Sequence, residues 1–214
     1  MKVAVIGATG FIGAKIFEEA VPRGYDTIAI SRNPPKELPK GKCAHVSVDI
    51  FNLQELENAL KGAEIIIHAY CPPKDSTFEK MEELQVNATK NIIEAAKKVG
   101  ARRLLAVGGA GTLITNGARN MDSPGFPPAY MPLANATAKL LTLVLEQKDV
   151  PGTVLCPSME IYPGEKQGKF RLSDDETIFN EKGESKISNS DYAVAMIDEI
   201  ADGNYIGKRF TVGY

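Results

Sequence analysis

Three glycines spaced three residues apart, Gly7, Gly10 and Gly13, stand where a strand-like apolar run changes into a helical pattern. In that setting Gly7 allows a tight turn, Gly10 lets the backbone approach a pyrophosphate, and Gly13 lets a helix pack closely on a strand. The start of the helix adds free N–H groups and the positive end of its dipole. The spacing therefore predicts a dinucleotide-binding turn, and the alternative is a turn that holds nothing.

Strand-length apolar runs alternate with helical patterns up to about Gly108. The runs are "KVAVI", "TIAI", "AHVSV", "EIIIHA" and "RLLAV", and helix-like segments separate several of them. This alternation predicts βαβ units, and so a parallel sheet covered by helices on both faces. We expect an α/β, Rossmann-type doubly wound parallel sheet with a small C-terminal extension on the substrate side. Residues 1–214 form one domain in this interpretation, with a nucleotide-binding half over about 1–108 and a substrate-side half over about 109–214.

The composition of the sequence changes after Gly108. The segment 109–132 is rich in Gly, Pro and Asn, and it reads as a long loop, which in a compact domain is usually functional or disordered. A lid over the substrate is one possibility. Beyond it we predict a helix over about 133–147, a strand "TVLCP", a hairpin around "GKFRLS", a helix over about 190–201 and a strand "RFTV".

The end of the second predicted strand bears on which nucleotide is bound. An NAD site usually has an acidic residue there for the ribose 2′-hydroxyl, whereas an NADP site has an Arg nearby for the 2′-phosphate. Here the strand "TIAI" is followed by Ser31 and Arg32. A hydroxyl beside a guanidinium suits a phosphate, so NADP(H) is the preferred cofactor and NAD(H) remains possible. The alternative is that Arg32 is an ordinary surface residue.

Composition excludes several other classes of protein. The chain has 214 residues and a net charge of −2, without the clustered Lys and Arg that nucleic acids or anionic membranes select. Its three cysteines are widely spaced and lack nearby histidine clusters, so neither a disulfide framework nor a metal site is expected. With no signal peptide visible, we expect a cytoplasmic monomer or homodimer whose partner is a small planar acceptor.

Several motifs together carry a family resemblance. They are "GATGFIG", "SRNP", Asp49 with Ile50, "VNATKNIIEAAKKVGARRLLAVGG" and "GKRFTVGY". The chain resembles the atypical short-chain dehydrogenase/reductase superfamily, and within it the NADH-flavin reductase-like group related to biliverdin reductase B and the NmrA-like proteins. The resemblance spans nearly the whole chain.

The resemblance implies a set of cofactor contacts. Thr9, Phe11 and Ile12 would line the pyrophosphate, and Arg32 would meet the 2′-phosphate. The adenine would lie beside Asp49 and Ile50, its ribose beside Ala69 and Tyr70, the nicotinamide ribose beside Gly108, and the nicotinamide beside Pro157, Ser158 and Met159.

The catalytic pattern of the superfamily is missing from the region where it is expected. Active members use a YxxxK pair and a helper Ser, but the residue four beyond Tyr130 is Ala134, Lys139 has the wrong spacing, and "GGAGTL" offers Thr112 instead of the Ser. Thr112 and Tyr130 are therefore only weak catalytic candidates. Alternatively, the Thr112 hydroxyl forms a hydrogen bond within its own loop, and Tyr130 is a packing aromatic residue.

Hydride transfer to a conjugated acceptor does not require such a pair, because solvent supplies the proton. We therefore expect an NAD(P)H-dependent oxidoreductase that reduces a flavin or a similar planar molecule, with flavin as a substrate and not a prosthetic group. One alternative is a non-catalytic NADP(H) sensor of the NmrA-like type. Another is a sugar-nucleotide epimerase or reductase relative.

The substrate pocket is expected outside the carboxyl ends of the strands. It would draw on residues 70–72, 109–113, Tyr130 and residues 158–162. The alternative to substrate contact for Tyr70 is a role in packing. His68 is interpreted as a structural histidine, with an acid or base role as the alternative.

Overall fold

The computed structural model describes residues 1–73 and 75–214. The helices are α1 (Gly13–Ala20), α2 (Leu53–Leu60), α3 (Phe78–Lys98), α4 (Met131–Glu146) and α5 (Asn189–Asp202). The strands are β1 (Lys2–Ile6), β2 (Asp26–Ser31), β3 (Cys43–Ser47), β4 (Ile65–His68), β5 (Arg103–Val107), β6 (Ile114–Thr115), β7 (Ala118–Arg119), β8 (Gly152–Pro157), β9 (Glu160–Tyr162), β10 (Arg171–Ser173), β11 (Lys186–Ser188) and β12 (Arg209–Gly213).

Within the described residues, eight strands form the central sheet in the order β3-β2-β1-β4-β5-β8-β12-β10. All neighbours are parallel except β10 and β12, which are antiparallel. The strand order reverses between β1 and β4, which is the topological switch point where ligands of such sheets bind. We refer to the end of the sheet where the parallel strands finish as the carboxyl edge. The predicted Rossmann-type α/β fold is confirmed.

Helices cover both faces of this sheet. On one face, α2, α3 and α4 bury residues such as Leu56, Ile92 and Leu140 against the strands. On the other face, α1 and α5 bury Phe17 and Tyr192 among apolar strand residues. Because both faces are covered, successive residues of the central strands are buried, as in Val3–Ile6 and Leu104–Ala106, instead of alternating with exposed ones.

The prediction of a hairpin around "GKFRLS" is wrong. Residues Arg171–Ser173 instead form β10, which pairs antiparallel with the last strand, β12, and forms one edge of the sheet. Strands β9 and β11 pair parallel to each other in a separate small sheet, which periodicity did not predict. Such three-residue strands are too short to give a recognisable apolar pattern.

The segment 109–132 has more structure than the predicted loop. It contains three short 3₁₀ turns and the small antiparallel pair β6–β7. Asn120 is buried, and its amide donates to the carbonyl of Ala110 at 2.9 Å and to the hydroxyl of Thr177 at 2.9 Å. Gly111 packs so closely on α4 that a Cβ there would lie 2.9 Å from the Cβ of Ala134. These contacts hold most of the segment against the body of the protein.

In the ranges 1–73 and 75–214, no helix combines the length and apolarity that crossing a lipid bilayer requires.

Candidate functional site

The glycine turn follows β1 at the topological switch point. Gly7 has φ of 83°, and its N–H donates to the carbonyl of Ile30 at 2.8 Å. A Cβ on Gly7 would lie 2.6 Å from the carbonyl oxygen of Ala69, which follows β4. The N–H of Gly10 closes the turn by donating to the carbonyl of Gly7 at 2.9 Å. The turn therefore accommodates only glycine at its first position, both for its backbone angle and for its space.

Helix α1 begins directly after this turn. A Cβ on Gly13 would overlap the carbonyl oxygen of Gly7 and lie 3.2 Å from the Cβ of Ala69. The helix N-cap is Ile12, and within the described chain no side chain caps this end and no acidic residue stands in its first turn. The N–H of Ala14 donates to the carbonyl of Gly10 at 3.0 Å, while the N–H of Ile12 and the dipole of the helix start are available to an anion. Thr9 and Phe11 lie exposed beside this opening. These features fit the pyrophosphate of a dinucleotide.

The loop after β2 holds the residues predicted for the 2′-phosphate. Arg32 is exposed, and the hydroxyl of Ser47 donates to its backbone carbonyl at 2.7 Å. The hydroxyl of Ser31 is buried and donates to the carbonyl of Asn33 at 2.6 Å, with the Nε2 atom of His45 3.1 Å away. Ser31 therefore has its hydrogen bonds within the protein, and Arg32 is the polar group of this pair that remains open to a ligand.

Loops after β3 and β4 converge beside Arg32. The rings of Phe51 and Tyr70 meet edge to face with centroids 6.0 Å apart, and the carboxylate of Asp49 accepts from the N–H of Phe51 at 3.0 Å. Burial raises the pKa of Tyr70, and the nearby positive charge of Arg32 opposes that rise. Asn91 holds this loop from α3 by donating to the carbonyl of Ile50 at 3.1 Å. Sequence reasoning missed Phe51 and Asn91, although an exposed aromatic after a strand is a usable signal.

The middle of the carboxyl edge is lined by close-packed backbone. The N–H of Ala69 donates to the carbonyl of Ile6 at 2.9 Å, and that of Gly108 donates to the carbonyl of Leu155 at 2.8 Å. A Cβ on Gly108 would lie 2.7 Å from the Sγ atom of Cys156. Ala69 and Gly108 thus follow β4 and β5, neighbouring strands of the sheet, and their contacts with the two riboses stay a prediction.

The predicted nicotinamide contacts follow β8. Pro157 is the last residue of β8, and the buried hydroxyl of Ser158 donates to the carbonyl of Val212 at 2.8 Å. The side chain of Met159 is 51% exposed, while its N–H donates to the hydroxyl of Ser185 at 3.2 Å. Ser158 therefore has a structural hydrogen bond, and Met159 has an exposed apolar side chain.

The two catalytic candidates differ sharply in their surroundings. Thr112 is buried, and its hydroxyl donates to the carbonyl of Gly109 at 2.9 Å and lies 3.4 Å from the Sγ atom of Cys156. This gives Thr112 a structural role and argues against catalysis. Tyr130 is 62% exposed just before α4. Lys139, nine residues further, lies about 13 Å along the helix axis and on its opposite side, so the two cannot act as a pair.

His68 is buried at the end of β4. Its Nε2 atom lies 3.1 Å from the hydroxyl of Thr89 and 3.3 Å from the amide nitrogen of Gln85. The Thr89 hydroxyl in turn donates to the carbonyl of Gln85 at 2.7 Å, which ties the ring into a buried polar cluster. Burial lowers the pKa of His68 to about 3. The neutral, enclosed ring favours the structural interpretation over an acid or base role.

Exposed apolar side chains stand in most loops of the carboxyl edge. They are Phe11 after β1, Phe51 after β3, Phe78 after β4, Tyr130 and Leu133 after β5, and Met159 after β8. Single exposed apolar side chains are ordinary on a protein surface, so it is their position at the carboxyl edge that makes these residues candidates for ligand contact. In the part of the chain that is described, no group of three or more His, Cys, Asp or Glu residues could hold a metal ion.

Comparisons with known proteins agree with this geometry. The family model described as NAD(P)H-binding matches residues 7–203. The uncharacterized protein YwnB of Bacillus subtilis is 33% identical, covering 99% of this chain and 98% of its own.

Two solved structures have the same fold and similar sequences. A Streptococcus pneumoniae protein provisionally named as an NADH-flavin reductase is 32% identical with a TM-score of 0.84, covering 100% of this chain and 99% of its own. A Bacteroides thetaiotaomicron protein provisionally named as an epimerase is 33% identical with a TM-score of 0.88, covering 100% of this chain and 96% of its own. The chain therefore belongs to the NAD(P)H-binding family, among the atypical short-chain dehydrogenase/reductase proteins that bind a nicotinamide cofactor in a Rossmann-type fold.

Proposed function

We propose that the protein is an NAD(P)H-dependent reductase of a flavin or a similar planar conjugated acceptor. The observation that carries this proposal is the exposure of apolar side chains at the nicotinamide side of the carboxyl edge. Phe11 is 50% exposed, Met159 is 51% exposed and Tyr130 is 62% exposed. Such side chains suit stacking and apolar contact with a flat ring system better than they suit a sugar or a small hydroxy acid.

The polar groups near this region support the same choice. Thr112 donates its hydroxyl to the backbone, and Tyr130 is separated from Lys139 by more than two helical turns. Tyr130 and Lys139 thus do not form the pair that would protonate a carbonyl, and Lys166, four residues after Tyr162, instead pairs with Glu19 at 2.8 Å. A conjugated acceptor spreads the negative charge that it gains, so solvent suffices as its proton source.

Each part of the chain has a defined task in this proposal. When bound, the reduced nicotinamide supplies a hydride. The glycine turn and the start of α1 hold the pyrophosphate, and Phe51 and Tyr70 border the adenosine end. Phe11, predicted beside the pyrophosphate, and Met159, predicted beside the nicotinamide, would also border the acceptor and exclude water from its face. The segment 109–132 belongs to the proposed substrate-side half of the chain.

The cofactor preference proposed here is NADP(H), with NAD(H) also accepted. Arg32 is exposed in the loop after β2, and its charge opposes the rise that burial causes in the pKa of Tyr70. A guanidinium in this position suits a 2′-phosphate. Asp49 is the nearby acid, and its carboxylate accepts from the N–H of Phe51.

The relatives give limited support for the acceptor. The name of the Streptococcus pneumoniae protein matches the proposed activity, while the name of the Bacteroides thetaiotaomicron protein does not. Fold alone does not choose between them. An epimerase of this superfamily would use the tyrosine–lysine pair, so we favour the reductase.

The proposal is tested by rapid-mixing oxidation of NADPH and NADH with FMN, FAD, riboflavin and a quinone, alongside calorimetric titration of each nucleotide. Saturable turnover with one planar acceptor is the expected result. Tight NADPH binding without turnover on any acceptor would contradict the reductase. That result would favour the other activity consistent with a missing acid–base pair, a non-catalytic NADP(H) sensor.

A matched pair of variants tests the apolar contacts. Met159→Ala is expected to raise KM for the acceptor while KM for NADPH changes less. Ile206→Ala removes a similarly exposed apolar side chain, 48% exposed, from the opposite end of the sheet and serves as the control. Equal effects of the two substitutions would remove Met159 from the acceptor site.

A further inference from the structure

Asn189 connects the glycine turn to a distant part of the chain. It is the first residue of α5 and is 4% exposed. Its Nδ2 atom donates to the backbone carbonyl of Phe11 at 3.2 Å, and its Oδ1 atom accepts from the N–H of Gly164 at 3.3 Å. The carbonyl can only accept and the N–H can only donate, so the orientation of this amide follows from its two partners.

The bond to Phe11 acts on the peptide unit that enters α1. The peptide between Phe11 and Ile12 is planar, with its C=O and N–H pointing in opposite directions. Holding the carbonyl of Phe11 towards Asn189 therefore directs the N–H of Ile12 away from it. Ile12 is the N-cap of α1, a helix start without a side-chain cap among the described residues. That N–H is one of the donors available to a bound anion.

We infer that Asn189 is a positioning residue for the pyrophosphate of the cofactor, which it serves by fixing the direction of the Ile12 N–H group. This inference rests on the nicotinamide cofactor of the proposed function, and it is independent of which acceptor is reduced. It assigns a role in cofactor binding to a residue 178 positions beyond Phe11 in the chain.

Asn189 is itself held firmly at the start of α5. The hydroxyl of Ser188 accepts from the N–H of Asp191 at 3.0 Å and caps the helix. The buried carboxylate of Asp191 accepts from the N–H groups of Gln167 at 3.0 Å and Gly168 at 2.8 Å. Asn189 therefore approaches the glycine turn from a fixed frame, which is what a positioning residue requires.

The experiment compares two ligands on three variants by isothermal titration calorimetry. NADPH contains the pyrophosphate, whereas adenosine 2′-monophosphate has only the adenosine end. Asn189→Asp keeps the acceptor for Gly164 but loses the donor to Phe11, and Asn189→Ala is neutral and loses both bonds. Ser190→Ala is the matched control, because the hydroxyl of Ser190 donates to the carbonyl of Gly164 at 2.6 Å without contacting the glycine turn.

Both Asn189 variants are expected to weaken NADPH about tenfold, the effect of losing one well-placed hydrogen bond to an anion. Adenosine 2′-monophosphate should bind them as it binds the wild type, and Ser190→Ala should bind both ligands normally. Thermal unfolding of each variant checks the fold, with Asn189→Ser as the neutral arm if the alanine variant does not fold.

Four outcomes would overturn the inference, and the first is unchanged NADPH affinity in both Asn189 variants. An effect in Asn189→Asp without one in the neutral variant would assign the loss to the added charge. Equal weakening of both ligands would indicate a general distortion of the site. An equal loss of NADPH affinity in Ser190→Ala would show that the effect comes from the anchoring of Gly164 and not from the bond to Phe11. Protein that binds NADPH but reduces nothing would contradict the reductase and leave this test intact.

Discussion

The guanidinium of Arg103 donates to the carboxylate of Glu199 at 2.6 Å, and the two side chains are only 10% and 2% exposed. The same guanidinium donates to the backbone carbonyl of Glu199 at 2.9 Å and to the hydroxyl of Thr153 at 3.1 Å. The carboxylate also accepts from the N–H groups of Asn204 and Tyr205. This network fastens α5 to the start of β5, at the end of the sheet opposite the cofactor.

Glu199→Gln is expected to destabilise the protein without affecting cofactor binding. The amide keeps the shape of the side chain but leaves the buried charge of Arg103 uncompensated, which costs about 3 kcal/mol. Urea unfolding measures the loss, and calorimetry with NADPH measures binding.

The control for this prediction is Asp122→Asn. It breaks the exposed pair in which Arg119 donates to Asp122 at 2.6 Å, and such surface pairs contribute little. Equal unfolding free energies for Glu199→Gln and the wild type would contradict the prediction.

The buried histidine predicts a specific pH dependence of stability. The pKa of His68 falls from 6.5 to about 3 on burial, so below pH 6.5 the unfolded chain binds a proton that the folded chain does not. The contribution of His68 to the free energy of unfolding is thus complete above pH 6.5, and it is lost as the pH falls towards 3. One proton gives a slope of about 1.4 kcal/mol per pH unit.

Unfolding of His68→Gln and of the wild type, compared across this range, isolates the contribution. The glutamine variant should lack the slope that His68 adds, because its amide does not titrate. His45→Gln, which changes the chain's other histidine, should keep that slope. Parallel pH profiles for His68→Gln and the wild type would show that the ring is protonated in the folded protein.

Much of the fold was predictable because its signals are local. The apolar runs that became β1, β4 and β5 and the glycines of the turn are each read within a few residues. Strand β10 was missed because its pairing with β12 joins segments some forty residues apart and leaves no local period.

The limits of the site prediction have a similar cause. Ser158 has a residue type that suits ligand contact, but its hydroxyl donates to the carbonyl of Val212, 54 residues along the chain, whereas Ser31 and Thr112 donate to carbonyls only two and three residues away. Conversely, Asn189 gives no signal in the sequence, since its partner Phe11 lies at the other end of the chain. Residue type and spacing indicate which groups are available, and tertiary contacts decide which of them stay free.

Gly13→Ala is expected to abolish tight cofactor binding. The added methyl group would overlap the carbonyl oxygen of Gly7, which is backbone and must move. Such overpacking costs about 1–3 kcal/mol and displaces the start of α1 from the turn. Gly125→Ala is the matched control, because nothing lies within 4 Å of its added Cβ. Normal NADPH affinity in Gly13→Ala would contradict the assigned cradle.

Tyr130→Phe is expected to leave acceptor reduction nearly unchanged. The phenol is exposed, and in the proposed reaction solvent delivers the proton. Loss of a general acid lowers the rate by about 10²–10⁴-fold, so even the smaller effect is easily distinguished in steady-state kcat. A loss of that size with an unchanged KM for NADPH would make Tyr130 a catalytic residue and remove the solvent as proton donor.

Arg32→Ala is expected to weaken NADPH far more than NADH. Only NADPH carries the 2′-phosphate, and losing a charge-assisted hydrogen bond lowers affinity by roughly tenfold or more. Arg32→Lys should give an intermediate loss, because it keeps the charge without the guanidinium fork. Arg102→Ala is the control: its side chain is exposed at the opposite end of the sheet, where it pairs with Glu64. Calorimetric titration of both nucleotides provides the measurement.

Equal weakening of NADPH and NADH, or no change in either, would exclude Arg32 from the 2′-phosphate site and leave the preference for NADP(H) without its main support.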